Sequence, residues 1–153
     1  MRTVKPLTYK IGSGLILFAI VLAIIGIATP AWNKSQHGLF MRCDGPGTFE
    51  GCKTIPKEEH TDWEYVVIVL AVIGLILMVV SPISQCCCLQ RTPAILCSVF
   101  AGVCLIISFA VYFQKTSNDN VFWACYFTVI SGLISFIGGL FLLPGKDYVN
   151  YSV

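Results

Sequence analysis

The chain has 153 residues, of which 56% are hydrophobic and only 12% are charged, and its formal net charge at pH 7 is +2. This composition lies far from that of a soluble globular domain. The small net charge says little about partners, because the charged residues are confined to short segments between long uncharged runs. The composition therefore excludes a soluble fold and predicts a single membrane-embedded domain over residues 1–153.

Four uncharged runs make up most of the chain, at residues 11–32, 65–90, 92–114 and 120–145. About 20 apolar residues in a helix are enough to cross the hydrocarbon core of a bilayer. Each run can therefore span the membrane once. We predict an all-α membrane protein with spans at residues 11–31, 65–82, 93–113 and 122–143.

The N-terminal tail carries Arg2, Lys5 and Lys10 and no acidic residue. Basic residues before the first span favour a cytoplasmic start, although the complete set of basic residues divides evenly between the two sides. We expect a multi-pass plasma-membrane protein with both termini in the cytoplasm. The outer loops are then residues 32–64 and 114–121, the cytoplasmic turn is 83–92, and the tail is 144–153.

The first span ends at Pro30-Ala31-Trp32. Tryptophan is enriched at membrane interfaces, so we expect the Trp32 indole at the outer interface. The polar loop that follows opens with the glycosylation sequon Asn33-Lys34-Ser35, which makes Asn33 a candidate acceptor. The position of Asn33 directly after the span places it close to the membrane.

Cys43 and Cys52 lie in this same loop, with several glycines and a proline between them. In the oxidising extracellular environment, two cysteines in one short loop most simply form a disulfide. The glycines suit a tight reversal such as a β-hairpin. A metal site that uses both cysteines together with His37 and His60 is the alternative.

The second span is predicted to end around Ser81-Pro82. Three cysteines follow it, Cys86, Cys87 and Cys88, and juxtamembrane cysteines on the reducing side of a membrane are candidates for S-palmitoylation. The alternative is that they are small apolar residues at the interface. Pro93 suits the first turn of the third helix.

Two spans carry small residues at every fourth position, which favours close helix packing in lipid. These residues are Ala94, Ser98 and Gly102 on the third span and Ser131, Ser135 and Gly139 on the fourth. Packing within the bundle is the primary interpretation, and an oligomer interface is the alternative.

The spans contain no Asp, Glu, Lys, Arg or His, which argues against a transporter. No arrangement of residues resembles a catalytic centre or a cofactor site, so we predict neither an enzyme nor a metal or cofactor. The chain ends Tyr151-Ser152-Val153. A free carboxylate after an apolar residue suits the groove of a PDZ domain, so Tyr151 and Val153 are candidate ligand residues.

The first outer loop carries Trp32, then Gly38-Leu39-Phe40, two further residues, Cys43 and, nine residues later, Cys52. This order resembles the first-loop signature of the claudin superfamily, which includes the peripheral myelin, epithelial membrane and lens membrane proteins and the calcium-channel γ subunits. That signature is a membrane-edge Trp, then Gly-Leu-Trp, two residues, Cys, and a second Cys eight to ten residues later, so Phe40 stands in place of the usual Trp. The loop is shorter than in claudins and closer in length to the myelin-protein branch.

The resemblance implies a four-transmembrane-helix bundle with a small extracellular β-sheet, pinned by Cys43–Cys52, in the first outer loop. It implies a cell-surface protein of cell–cell adhesion or junctions. We expect residues 39–41 and 114–121 to be exposed and to contact the same or related four-span proteins, in cis or in trans, while the tail engages a PDZ scaffold. The first alternative is an auxiliary subunit of an ion channel or receptor, and the second is a paracellular ion-selective pore. Membrane lipid is the expected environment, and no nucleic-acid partner is expected.

Overall fold

The structure is a computed structural model that describes residues 7–32, 38–43, 51–56, 58, 60–87, 91–116 and 123–143. Within these residues the elements are, in chain order, α1 (Leu7–Ala28), β1 (Met41–Cys43), β2 (Cys52–Thr54), α2 (Asp62–Cys87), α3 (Arg91–Lys115) and α4 (Trp123–Leu142). By length and apolar composition, each of these four helices can cross a membrane. The described part of the chain therefore has the expected architecture of a multi-pass membrane protein with a small sheet.

Helix α1 ends at Ala28, three residues before the predicted end of the first span at residue 31. Pro30 explains the earlier end, because proline has no N–H to donate and disfavours helical backbone at the residue before it. The last regular bond runs from the Thr29 N–H to the carbonyl of Ile25, at 3.1 Å. At the other end, α1 begins at Leu7 and so extends beyond the predicted start at residue 11.

Helix α2 begins at Asp62, three residues earlier than predicted, because Thr61 and Glu64 form a capping box. The Thr61 N–H donates to Oε2 of Glu64 at 2.7 Å, and the Glu64 N–H donates to the Thr61 carbonyl at 3.0 Å. These bonds satisfy polar groups that a helix start would otherwise leave unpaired.

The prediction that the second helix ends at residue 82 is wrong, because α2 continues through Pro82 to Cys87. Lipid offers no water to the polar groups of a broken helix, so proline is tolerated inside membrane helices where neighbouring helices hold them in place. Here the adjacent Ser81 hydroxyl donates to the carbonyl of Ala94 in α3, at 2.9 Å.

The other two helices lie close to their predicted positions. Helix α3 begins at Arg91 and ends at Lys115, two residues beyond the prediction at each end, with Pro93 in its first turn. Helix α4 runs from Trp123 to Leu142, one residue inside the predicted bounds at each end.

The helices form a bundle in which α1 packs against α4, α4 against α3, and α3 against α2, whereas α1 and α2 touch less than these three pairs. Successive helices alternate in direction: short connections require it for α2, α3 and α4, and the bond from Ser13, near the start of α1, to Gln85, near the end of α2, shows it for the first pair. We call the end where α1 and α3 finish and α2 and α4 begin the hairpin end, because β1 and β2 lie between α1 and α2 in the chain. The other end is called the opposite end.

Candidate interaction site at the hairpin end

Trp32 follows α1 and is fully buried, so its indole packs inside the bundle. Its Nε1–H donates to the carbonyl of Gly26 at 2.6 Å. In a continuing helix that carbonyl would accept a bond from the N–H of residue 30, which is a proline and has none. The indole therefore supplies the donor that Pro30 lacks.

Aromatic rings around Trp32 connect three helices. The ring of Tyr112, in the last turns of α3, meets Trp32 edge to face with 5.0 Å between centroids. Trp63, in the first turn of α2, lies 5.9 Å from the same tyrosine. Edge-to-face and tilted arrangements are those that aromatic quadrupoles favour. This ring cluster fixes the end of α1 against α2 and α3.

The start of α4 is joined to the residues just after α1. The Ala124 N–H donates to the carbonyl of Ala31 at 3.2 Å, which satisfies one of the first amide groups of α4. Gly26 faces Thr128, and a Cβ on Gly26 would lie 2.6 Å from the threonine Oγ1. The absence of a side chain at Gly26 therefore allows the two helices to approach closely here.

The Gly38-Leu39 part of the signature attaches the hairpin to this end of the bundle. A Cβ on Gly38 would lie 2.6 Å from Cα of Pro30 and 2.8 Å from the carbonyl oxygen of Thr29, so only glycine fits. The Gly38 N–H donates to the Met41 carbonyl at 2.8 Å. Leu39 is only 4% exposed and belongs to the apolar core. The expectation that Leu39 is exposed is therefore wrong.

Strands β1 and β2 pair antiparallel, with Cys43 opposite Cys52, and these two cysteines form a disulfide. The predicted hairpin and disulfide are confirmed. The Ile55 N–H donates to the Phe40 carbonyl at 3.1 Å. Because hydrogen-bonded pairs alternate along an antiparallel ladder, the cysteines occupy a non-hydrogen-bonded pair, where the strands approach most closely. Both sulfurs are used in the disulfide, which excludes the alternative metal site with cysteine ligands.

Side chains alternate between the two faces of the hairpin. One face carries the disulfide and the buried Cys43. The other face carries Phe40, Arg42, Lys53 and Ile55, and we call it the cationic hairpin face. Arg42 and Lys53 are directly opposite each other and exposed, and Phe40 is 37% exposed. This face combines positive charge with exposed apolar area.

Acidic residues lie in the chain between the hairpin and the first turn of α2. Glu58 and Asp62 are exposed, and we call these two residues the acidic rim. Glu64 is engaged in the helix cap and lies 3.7 Å from Nδ1 of His60. The hairpin end therefore carries a positive and a negative surface within one short segment of the chain.

Beside the hairpin, α3 ends with the exposed Gln114 and Lys115. The Thr116 N–H donates to the carbonyl of Tyr112 at 3.0 Å, which completes the last turn. The rest of the predicted second outer loop, residues 117–121, lies outside the described residues. So does the glycosylation candidate Asn33.

The small-residue positions of α3 and α4 are buried inside the bundle. The Ser98 hydroxyl donates to the Ser135 carbonyl at 2.7 Å, and the Ser135 hydroxyl to the Ser98 carbonyl at 3.1 Å. A Cβ on Gly102 would lie 2.6 Å from the Gly132 carbonyl oxygen, and one on Gly139 would lie 3.2 Å from Cβ of Ser98. The other two positions, Ala94 and Ser131, are fully buried.

At the opposite end, Cys86 is exposed in the last turn of α2, and Cys87 is the final residue of that helix. Cys88 and the tail residues Tyr151 and Val153 lie outside the described residues. Sequence analysis missed Gln85, whose side chain is only 7% exposed. Its Oε1 accepts a hydrogen bond from the Ser13 hydroxyl at 2.6 Å. Its Nε2 has no hydrogen-bond partner among the described residues.

Sequence analysis also missed the close contact between α1 and α4. Small residues of α1 face α4, and a Cβ on Gly12 would lie 2.9 Å from the Gly138 carbonyl oxygen. Gly12, Ala19 and Gly26 recur at every seventh position, with Ile16 and Ala23 between them, and all five are buried. This heptad spacing was the available signal, because it is the packing period of left-handed helix pairs.

Compared with known proteins, the chain matches no family model, and no curated protein sequence is significantly similar to it.

Proposed function

We propose that this chain is a claudin-like membrane protein of the cell surface that acts in cell–cell adhesion or junction structure through the loops at its hairpin end. The observation that carries the proposal is the disulfide-closed hairpin, seated on the buried Trp32 and Leu39 with Phe40 and Met41 exposed. Exposed apolar side chains on the two faces of a covalently restrained element suit recognition of another protein, because little conformational entropy is lost on binding.

The disulfide also supports the proposed orientation. Disulfides persist in the oxidising extracellular space and are rare in the cytosol. A hairpin end outside the cell puts both termini inside, which agrees with the basic residues that precede α1. Cys86 then lies at the cytoplasmic side of the membrane and is available for S-acylation.

The alternative of a channel or receptor auxiliary subunit has less support. The small-residue faces of α3 and α4 suited docking to a larger subunit, but Ser98, Gly102 and Ser135 pack against the neighbouring helix. A docked subunit would have to use the lipid-facing sides of these helices instead. Those sides carry large apolar residues such as Phe100 and Ile137, which lipid itself can cover.

The proposal is tested by mixing cells that express the tagged protein with cells that do not. We expect the protein to concentrate where two expressing cells meet and to remain diffuse at other contacts. The double variant Phe40→Ser/Met41→Ser should lose this enrichment, whereas Thr54→Ser, at another exposed position of the hairpin, should keep it. Formation of the Cys43–Cys52 disulfide in each variant shows that the two strands still pair.

Purification of the tagged protein in mild detergent provides the opposing outcome. Recovery of a large channel or receptor at a fixed ratio, without enrichment at cell contacts, would replace the adhesion proposal with the auxiliary-subunit alternative. The S-acylation proposal is tested separately by capture of acylated protein. We expect capture to decrease for Cys86→Ser and to be unchanged for Cys104→Ser, which lies in the middle of α3.

A further inference from the structure

The buried amide of Gln85 uses only part of its hydrogen-bonding capacity. Ser81 and Gln85 are four residues apart on the inward side of α2, and both are buried. Oε1 of Gln85 accepts from the Ser13 hydroxyl of α1 at 2.6 Å, so the amide lies across the contact between α1 and α2. Its Nε2 has no partner among the described residues. Because lipid offers no water to an unpaired N–H, this group needs an acceptor from outside those residues.

The amide lies close to the level where the lipid headgroups meet the hydrocarbon. Ser13 comes three residues after Lys10, the last charged residue before the uncharged run of α1. Three residues rise about 4.5 Å along a helix, so the Ser13–Gln85 bond lies about one turn inside the charged boundary. The acceptors that a bilayer offers at this depth are the ester carbonyls of glycerolipids, which lie between the phosphates and the acyl chains.

The surroundings of the amide suit a lipid molecule. Helices α1 and α2 touch less than the other three packed pairs, so a chain that enters between them displaces less close packing. Gly14, next to Ser13, is exposed, and a Cβ there would meet nothing within 4 Å. Lys10 is also exposed and lies one turn before Ser13 on the same side of α1. Its long side chain can place the ammonium at the level of the lipid phosphates.

We infer that α1 and α2 bind one glycerophospholipid at the opposite end of the bundle. An ester carbonyl of the lipid accepts a hydrogen bond from Nε2 of Gln85, the phosphate lies beside Lys10, and the acyl chains pass Gly14 toward the bilayer centre. Such a site differs from the general lipid coat of the helices, because it recognises a polar group of the lipid. The inference goes beyond the proposed function and does not depend on it.

The test compares two lipids that differ only in the ester carbonyls. Dioleoyl phosphatidylglycerol and its diether analogue, which lacks these carbonyls, are added separately to the purified full chain after bound lipid has been removed in detergent. Native mass spectrometry measures the fraction of protein that carries one lipid. We expect the parent protein to bind the ester lipid about fivefold more tightly than the ether lipid, the value of one additional hydrogen bond.

Three variants assign this preference to the site. Gln85→Met should bind the two lipids equally, because it removes the Nε2 donor and keeps a similar side-chain length. Gln114→Met is the matched control, since it makes the same change at an exposed glutamine of the hairpin end, and it should keep the fivefold preference. Lys10→Gln should weaken the binding of both lipids by about two- to threefold and leave their ratio unchanged, because it acts on the phosphate that both share.

The preference of the parent protein for the ester lipid is measured without a substitution, so it does not depend on how well a variant folds. Equal binding of the two lipids by the parent protein would overturn the inference, as would a preference that Gln85→Met retains. Cholesterol that replaces the ester lipid with the same dependence on Gln85 would also overturn it, because the occupant would then be a sterol. Each of these outcomes leaves the proposed adhesion function to its own test at cell contacts.

Discussion

The α3–α4 contact and the α1–α2 contact hold their helices together in opposite ways. Between α3 and α4, Gly102 and Gly132 bring the two backbones together, and Ser98 and Ser135 exchange hydrogen bonds. Between α1 and α2 the helices touch less than in the other three packed pairs. Lipid provides no hydrophobic drive between helices, so association depends on how closely they can approach.

The α1–α2 contact is therefore secured at its two ends rather than along its length. At the hairpin end, Trp32 and Trp63 both pack against Tyr112. At the opposite end, Ser13 donates to Gln85, whose Nε2 has no partner in the described part of the chain. The comparison teaches that a helix contact in this bundle is close where small residues line it, as at Gly102 and Gly132.

The largest effect is expected from Gly102→Leu, which would break the tight contact. The first added carbon would already lie 2.6 Å from the Gly132 carbonyl oxygen. We expect a loss of about 3 kcal/mol in the free energy of unfolding, because overpacking forces the helices apart. Titration with a denaturing detergent measures it. Gly14→Leu is the control, since nothing lies within 4 Å of a Cβ there. An equal loss in both variants would contradict the role assigned to close packing.

The next largest effect is expected from Trp32, which helps to secure the α1–α2 contact at the hairpin end. Trp32→Phe keeps an aromatic ring but removes the Nε1–H donor, which leaves the buried Gly26 carbonyl without its partner. We expect a loss of about 2 kcal/mol in the same titration. Trp123→Phe, at a tryptophan that is 41% exposed, should change the free energy of unfolding little. A Trp32→Phe protein as stable as the parent would show that the Gly26 carbonyl needs no hydrogen bond from the indole.

A smaller effect is expected when the serine hydroxyls of the α3–α4 and α1–α2 contacts are removed. Ser98→Ala removes the hydroxyl that donates to the Ser135 carbonyl in the tight α3–α4 contact, whereas Ser13→Ala removes the single bond to Gln85. We expect losses of about 0.6 kcal/mol for each hydrogen bond, as is usual between membrane helices. Both α3–α4 acceptors are backbone carbonyls, so the double variant Ser98→Ala/Ser135→Ala removes two bonds and should lose about twice as much stability as Ser13→Ala. A loss for Ser13→Ala as large as that of the double variant would reverse the ranking of the contacts.

The smallest effect is expected from Gln85→Met, and its sign is the informative result. The substitution removes a buried amide nitrogen without a partner among the described residues and keeps a similar side-chain length. Since unsatisfied polar groups cost stability, we expect the free energy of unfolding to be unchanged or to rise by up to about 1 kcal/mol. The Ser13 hydroxyl can turn to a carbonyl of its own helix. A clear loss of stability would show that the Gln85 amide contributes to the fold.

The helices and the hairpin were predictable where the signal is local. Each uncharged run became a helix, and α4 lies within one residue of its predicted bounds. Cys43 and Cys52 form the disulfide that two cysteines in one short loop predicted. The small-residue spacing of α3 and α4 pointed to positions that pack against each other at Ser98 and Ser135. Length, hydropathy and residue spacing carry this information because lipid imposes it on every helix separately.

The wrong predictions concern residues whose position depends on contacts with residues distant in the sequence. Pro82 indicated a helix end, but the surrounding helices keep α2 continuous through it to Cys87. Leu39 was expected on the surface, but it lies in the core, because the neighbouring Gly38 packs directly against the backbone of Thr29 and Pro30.

By itself, the sequence determined four membrane-spanning helices, one polar loop with a disulfide, and the composition that keeps water out of the bundle. Only the tertiary structure decided that Trp32 lies inside the bundle, because its burial depends on an unpaired carbonyl of α1 and a tyrosine of α3. It also decided that Arg42 and Lys53 share one face, through the register of the strands. Hydropathy is a property of each segment, whereas the partner of a buried polar group is chosen by how the segments pack.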